Sequence, residues 1–338
     1  MSQSVRIKYI NLVQKISSRL QAAGVDADNA TLEARIMSEA DAQEVPSHGV
    51  RMLPPLLKAI AEGRVTPNPN IKIEKELGAI CILDCDNGPG RQTANTAMNE
   101  AIERAKKFGV GVCLAKRTTH WGRAHAYASH AAQAGFIGIC TTNAIPTMAI
   151  WGAKKPVIGN NPLAIGIPLG DDKPIVLDMA MSQAAVGKVN TWLREGKTVP
   201  GNWGIDAQGN PSSNAKDILS GAVLPMGEHK GAGLALMMEL LTAALAGAAF
   251  TQQLFANDNS GIDPDSTKLF VALNVNAFIE PHQFYKNVKN FLLYLQQEAA
   301  PFHYPGERGW QAGSENKRIG IPIHTEILTQ LKTVGIYF

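Results

Sequence analysis

Residues 79–84 read Ala-Ile-Cys-Ile-Leu-Asp, 111–116 read Gly-Val-Cys-Leu-Ala-Lys and 136–141 read Phe-Ile-Gly-Ile-Cys-Thr. Between these short apolar runs lie helical stretches at 91–108 and 124–134. Strands alternating with helices predict an α/β layer. From residue 143 the helices drop out of the pattern, and 163–168 and 175–181 read as consecutive strands. The sheet is therefore expected to be mixed rather than purely parallel. Upstream, Pro67-Asn68-Pro69-Asn70 reads as a linker. Before it, Val5, Ile10, Val13, Ile16 and Leu20 recur at helical spacing until Gly24. Asp26 or Asp28 can cap a second helix to about Ala42, and Pro46 ends it, so Ser47 and His48 emerge at a corner before a third helix that stops near Gly63. Downstream, 200–221 reads as loop, followed by a long helix at 231–249, a strand at 268–275 and a helix near 281–298. Three segments result: N-terminal helices over 1–70, a central α/β domain over 71–222, and a C-terminal segment over 223–338 packing with the N-terminal helices.

Composition narrows the function classes. The chain has 338 residues, 45% hydrophobic and 18% charged, as expected of a compact protein with a sizeable core. Its formal charge of +3 is dispersed, with Lys106-Lys107 and Lys154-Lys155 the only adjacent lysine pairs. No basic face suited to nucleic acid is expected. Cys81, Cys85, Cys113 and Cys140 lie in apolar, strand-like runs and read as reduced, buried thiols. The start of the chain does not read as a signal peptide. The longest apolar stretch, 231–250, carries Glu239 near its middle and reads as a buried core helix rather than a membrane span. A cytoplasmic protein is expected.

Two histidine segments carry the chemistry. Ser47-His48-Gly49 and Thr118-Thr119-His120-Trp121-Gly122-Arg123-Ala124-His125 each place an imidazole beside small or hydroxyl residues where a helix starts or stops. Histidine exchanges protons near neutral pH without a large pKa shift. His120 follows a strand end, where ligands bind in α/β sheets. His120, His125 and His130 recur every five residues and so share no helix face, and no carboxylate stands at ligand spacing; no metal is expected. No G-x-S-x-G is present, which argues against a Ser/His hydrolase. There is also no G-x-G-x-x-G after a strand, so the usual dinucleotide fingerprint is missing. His229-Lys230-Gly231 opens the long helix, where Lys230 either meets a phosphate or is a solvated residue.

Taken together, Ser47-His48-Gly49-Val50, His120-Trp121-Gly122, Gly152-Ala153-Lys154, Gly159-Asn160-Asn161-Pro162-Leu163, Asp178-Met179-Ala180, Lys230-Gly231 and Pro305-Gly306-Glu307 resemble the malate/L-lactate dehydrogenase family. This is the family of L-sulfolactate, ureidoglycolate and 2,3-diketo-L-gulonate oxidoreductases. The resemblance runs from about residue 5 to 330. His120-Trp121, residues 151–154 and residues 224–227 are most similar to the diketogulonate reductase branch. The resemblance implies an α/β fold with a mixed sheet, in which an unusual non-Rossmann nicotinamide-binding domain joins a mainly helical domain built from both chain ends. It implies an NAD or NADP cofactor, a small-molecule substrate and a homodimer with the site near the subunit interface.

Residue by residue, the resemblance gives His48 as proton donor with Ser47 beside it. In the ureidoglycolate branch the base is at the position of His120. Cofactor contacts are implied at His120, Trp121, Gly122, Arg123, Ala124, Asn160, Asp178, Met179, Ala180, His229, Lys230, Pro305, Gly306 and Glu307. This chain departs from the pattern at Met52, where relatives usually carry an arginine that holds the substrate carboxylate, and at Asn160, which replaces a common threonine. Arg51, or a residue from a second subunit, is the substitute cation expected from the sequence. The activity expected is interconversion of a 2-oxo acid and its 2-hydroxy acid. Reduction of a cyclic imine carboxylate is the alternative within enzymes, and an inactive ligand-binding relative the alternative outside them.

Overall fold

The computed structural model describes residues 4–257 and 262–338. Its centre is a seven-stranded sheet in the order Lys72–Leu77, Ile80–Gly88, Val110–Thr118, Ser266–Asn274, Phe136–Thr142, Leu163–Ile167, Ile175–Met179. Ile80–Gly88 and Val110–Thr118 pair in parallel, joined by the helix Gly90–Phe108; the other pairings are antiparallel. The sheet is mixed, as the loss of helices after residue 143 suggested.

The position of Ser266–Asn274 corrects the expected segmentation. This strand lies between Val110–Thr118 and Phe136–Thr142, so the segment after residue 222 also supplies the middle of the sheet. Local pattern cannot show such a pairing, because its partners lie over 120 residues away. A second correction concerns Val5, which belongs to a strand, Ser4–Ile7, paired antiparallel with Ile321–His324. The first helix starts only at Tyr9. That two-stranded clasp ties the chain ends together over a core of Leu12, Ile16, Leu20, Met37, Leu53, Ile321 and Leu331. A mainly helical layer built from both ends is the result.

Two helices, Val186–Arg194 and Ala215–Ser220, occupy stretches that read as helix-free. The helix read at 231–249 runs from His229–Glu239 into a π turn, Leu240–Ala244. It is not a core helix. Gly231, Ala232, Ala235, Met238 and Glu239 face inward, while Leu240, Leu241 and Leu245 are exposed. Glu239 explains the inward face. Its carboxylate accepts from Asn161 Nδ2 (2.9 Å) and from the backbone and hydroxyl of Thr251 (2.7 and 2.8 Å), so a buried charge is satisfied by dipoles. Among the described residues, no helix is long and apolar enough to cross a membrane. All four cysteines are buried and unpaired as disulfides.

Candidate active site

Val110–Thr118, Phe136–Thr142 and Ile175–Met179 all end at the same edge of the sheet, the position where open α/β sheets bind ligands. The first continues into Thr119 to Ala124, which leads to the helix His125–Gln133. Opposite stands the corner Pro46–His48, a single 3-10 turn. Three buried groups set this corner. Asp41 Oδ2 accepts from the Val50 amide (2.7 Å). Arg91 Nη2 donates to the His48 carbonyl (3.3 Å), and Arg91 is itself held by Glu33 (3.2 Å) with both side chains out of solvent. A Cβ on Gly49 would fall 2.0 Å from Asp41 Oδ1, so any larger residue here would have to displace the carboxylate that holds the Val50 amide. The two imidazoles consequently face each other, with ring centroids of His48 and His120 5.8 Å apart and 20° from parallel.

Hydrogen bonds define what each ring offers. Ser47 Oγ lies 2.9 Å from His48 Nδ1. The Gly122 amide donates to His120 Nδ1 (3.3 Å), which leaves the proton of neutral His120 on Nε2. Burial, with Arg123, Arg91 and Arg51 adding like charge, pushes His48 down to about 3. Burial and then His48 hold His120 well below the usual histidine range. Both rings are neutral at physiological pH, one able to accept a proton and one to donate a hydrogen bond.

They line a cleft of about 580 Å³ together with Ser47, Trp121, Gly122, Arg123, Ala124, Asn160, Asp178, Ala180 and Lys268. Thr142, Ala144 and Pro162 complete one largely apolar wall, a surface that fits a flat aromatic ring such as nicotinamide. Arg123 pairs with Asp178 (3.5 Å) and donates to Gln43 (3.0 Å), and the His125 amide also donates to Asp178 (3.2 Å). Met179 turns the other way, into a cluster with Met148 and Met181.

The remaining expected cofactor residues lie outside this cleft, yet tied to one strand. The Val176 amide donates to the Pro305 carbonyl (2.9 Å), setting Pro305, Gly306 and Glu307 alongside Ile175–Met179. Just beyond it, the Met181 amide donates to the Asn160 carbonyl and the Met226 amide to the Met181 carbonyl, each at 2.9 Å. The turn leading to exposed His229 and Lys230 is thereby held next to the same strand end. Pro305 to Glu307 thus lie along the strand that carries Asp178, and Lys230 stands at a helix start near its end.

Arg51 is a correction. It does not line the cleft but an adjoining cavity with Arg194, Glu326 and His324, on the far side of Ser47. The corner is a 3-10 turn followed by a second, Val50–Met52, and from there Arg51 acts on His48 only as a like charge. Met52 instead packs near Arg91, Thr119 and His120. Sequence reading also missed Glu33, Asp41, Arg91 and Lys268. For Lys268 a signal existed, since it shares strand parity with buried Phe270 and Ala272.

Comparison with known proteins agrees with this geometry. The family model for malate/L-lactate dehydrogenase matches residues 7–332. Malate dehydrogenase of Pyrococcus horikoshii is 30% identical over 98% of this chain and 95% of its own. The 2,3-diketo-L-gulonate reductase of Escherichia coli is 29% identical over 98% and 100%. Neither substrate branch stands out. Among solved structures, malate dehydrogenase from Entamoeba histolytica superposes with a TM-score of 0.93 at 28% identity, covering 98% of this chain and 97% of that one. Δ1-piperideine-2-carboxylate reductase from Pseudomonas syringae does so with 0.89 at 25%, covering 98% and 100%. With a family match over almost its whole length, this chain belongs to the malate/L-lactate dehydrogenase family, oxidoreductases of hydroxy acids that work with a nicotinamide cofactor.

Proposed function

We propose that this protein interconverts a small 2-oxo acid and its 2-hydroxy acid with NAD or NADP, as a homodimer in the cytoplasm. The observation that carries the reading is the facing pair His48 and His120 at the mouth of an apolar-walled cleft. The cofactor, when bound, takes or returns the hydride at the substrate's C2. Every other task falls to the chain. In the oxidative direction neutral His48 accepts the hydroxyl proton as the O–H bond breaks, and Ser47 Oγ orients the ring through Nδ1. In the reductive direction neutral His48 passes a proton taken up from solvent to the alkoxide as it forms, and is left neutral again. His120 Nε2–H supports the developing oxygen charge by a hydrogen bond. Arg123 and Asp178 neutralise each other beside the cofactor segments, so the cleft wall adds no net charge against a dinucleotide.

A second reading, reduction of a cyclic imine carboxylate at C=N, is favoured by the likeness to the piperideine carboxylate reductase. The same histidines would serve a nitrogen in place of an oxygen. The deciding experiment follows NADH and NADPH oxidation against a panel of 2-oxo acids and cyclic imine acids. Turnover of 2-oxo acids supports the first reading, turnover confined to imines replaces it, and no turnover with either class sinks both.

A further inference from the structure

An acid substrate brings a carboxylate into this cleft, and a desolvated anion needs a positive partner there. Met52 carries no charge and Arg51 lines another cavity. Three cations line the cleft among the described residues: Arg123, Lys188 and Lys268. Arg123 is engaged by Asp178 and Gln43. Lys188 is exposed and lies over the Trp203 ring, 4.8 Å from its centroid. Lys268 differs from both. Only 1% exposed, it lies at the start of the strand that divides the sheet, and faces the cleft next to His120.

The surroundings of Lys268 are built to hold an ammonium. Its Nζ donates to Thr118 Oγ1 (2.5 Å) and Ser266 Oγ (2.8 Å). Both hydroxyl hydrogens are used on backbone carbonyls: Thr118 Oγ1 donates to the Ser266 carbonyl (2.7 Å), and Ser266 Oγ to the Thr118 carbonyl (3.2 Å). Each hydroxyl can therefore only accept from the lysine. The Trp121 ring adds a cation–π contact at 5.6 Å.

We propose that Lys268 is the specificity cation of this cleft, and that its ammonium binds the carboxylate beside the reacting carbon of the substrate. The inference rests on the acid-reducing reading above. It explains how a site with Met52 near His120 still selects acids. Asp263 lines the same cleft and favours the charged amine, while burial opposes it more strongly, pushing Lys268 down to about 7. Cys85, the other titratable group acting on it, is pushed up to about 12 by burial and stays a neutral thiol. His120 is neutral. An anion arriving in this setting binds only the protonated lysine, so its affinity falls as pH rises through the lysine's titration.

The test measures oxamate, an inert 2-oxo acid analogue, binding to the NADH-loaded protein by calorimetry from pH 6 to 9, with KM for the best acid measured in parallel. Wild-type Kd and KM should rise on the order of tenfold per unit above pH 7. K268M should weaken oxamate binding at least tenfold at pH 6 and lose that pH dependence, with NADH affinity unchanged. K268R should keep tight binding at pH 9, and it decides the matter if K268M does not fold. Oxamate affinity unchanged in K268M, or the same pH break in K268R, overturns the proposal. If the wild type turns over no acid while K268M still loses oxamate, the hydride-transfer reading fails and the lysine site stands.

Discussion

The proton chemistry rests on single atoms. His48 is neutral because burial and three arginines oppose its charge, so it enters catalysis as a base whose Nδ1 is already engaged by Ser47 Oγ. His48→Ala removes the acceptor without touching the cofactor wall. We expect kcat to drop roughly 10²–10⁴-fold, the usual range for a lost general acid–base group, with NADH fluorescence titrations unchanged; near-normal turnover would move the role to His120. His125 is a neighbour with no such task. It lies 4.8 Å from Trp310, its Nε2 has no hydrogen-bond partner among the described residues, and burial pushes it down to about 3. The unfolded chain protonates this histidine near pH 6.5, the folded one only near 3. Stability is therefore fully present above 6.5 and is lost as pH falls through that window. His125→Phe keeps the ring contact and removes the proton. The slope of unfolding free energy between pH 4 and 6 should fall by about 1.4 kcal/mol per unit, one proton's worth. A slope equal to wild type in urea titrations would show that His125 does not titrate across this range.

At the scale of elements, His120 depends on the helix Gly90–Phe108, whose first residue abuts its loop. A Cβ on Gly90 would fall 2.3 Å from the carbonyl oxygens of both Thr119 and His120. Gly90→Ala must push that loop off, costing about 1–3 kcal/mol as other overpacked sites do. Thermal denaturation should show the loss, and kcat should fall with it because His120 moves. Unchanged kcat at a lowered Tm would mean the loop tolerates the shift. The helix itself was readable from its sequence, as were the strands at 80–88, 110–118 and 136–142, because period and turn residues are local signals. Ser47, His48 and His120 were readable as candidates for the same reason, since each stands where an element stops. Arg91 and Glu33 were not, and for Lys268 only its burial was legible, from the strand parity it shares with Phe270 and Ala272. Glu33 lies 58 residues from Arg91 and Thr118 lies 150 from Lys268, and no local pattern encodes those pairings. Arg51 shows the converse: adjacency to the histidine corner suggested a role, and its side chain lines another cavity.

At the scale of the whole molecule, the segment His229–Glu239 with its π turn poses the remaining problem. Its inner face is fixed by small residues and by Glu239, and Leu234, Leu236, Met237, Leu240, Leu241 and Leu245 are 38% to 58% exposed. A row of this length on one helix is more apolar surface than a solitary chain ordinarily shows. The same helix opens with His229 and Lys230, which stand near the end of the strand that carries Asp178. A second copy seated on the leucines would bury them and brace the cofactor side of the cleft, consistent with a homodimer whose site lies near the interface. Leu241→Glu combined with Leu245→Glu places two carboxylates in that contact, and desolvating them unpaired is strongly unfavourable. Light scattering on a sizing column should give twice the chain mass for the wild type and the single-chain mass for the double variant. Activity should fall in the variant and return in part at high protein concentration, because mass action restores the pair. A wild type that runs as a monomer, or a double variant that stays dimeric, would place the interface on another face of the molecule.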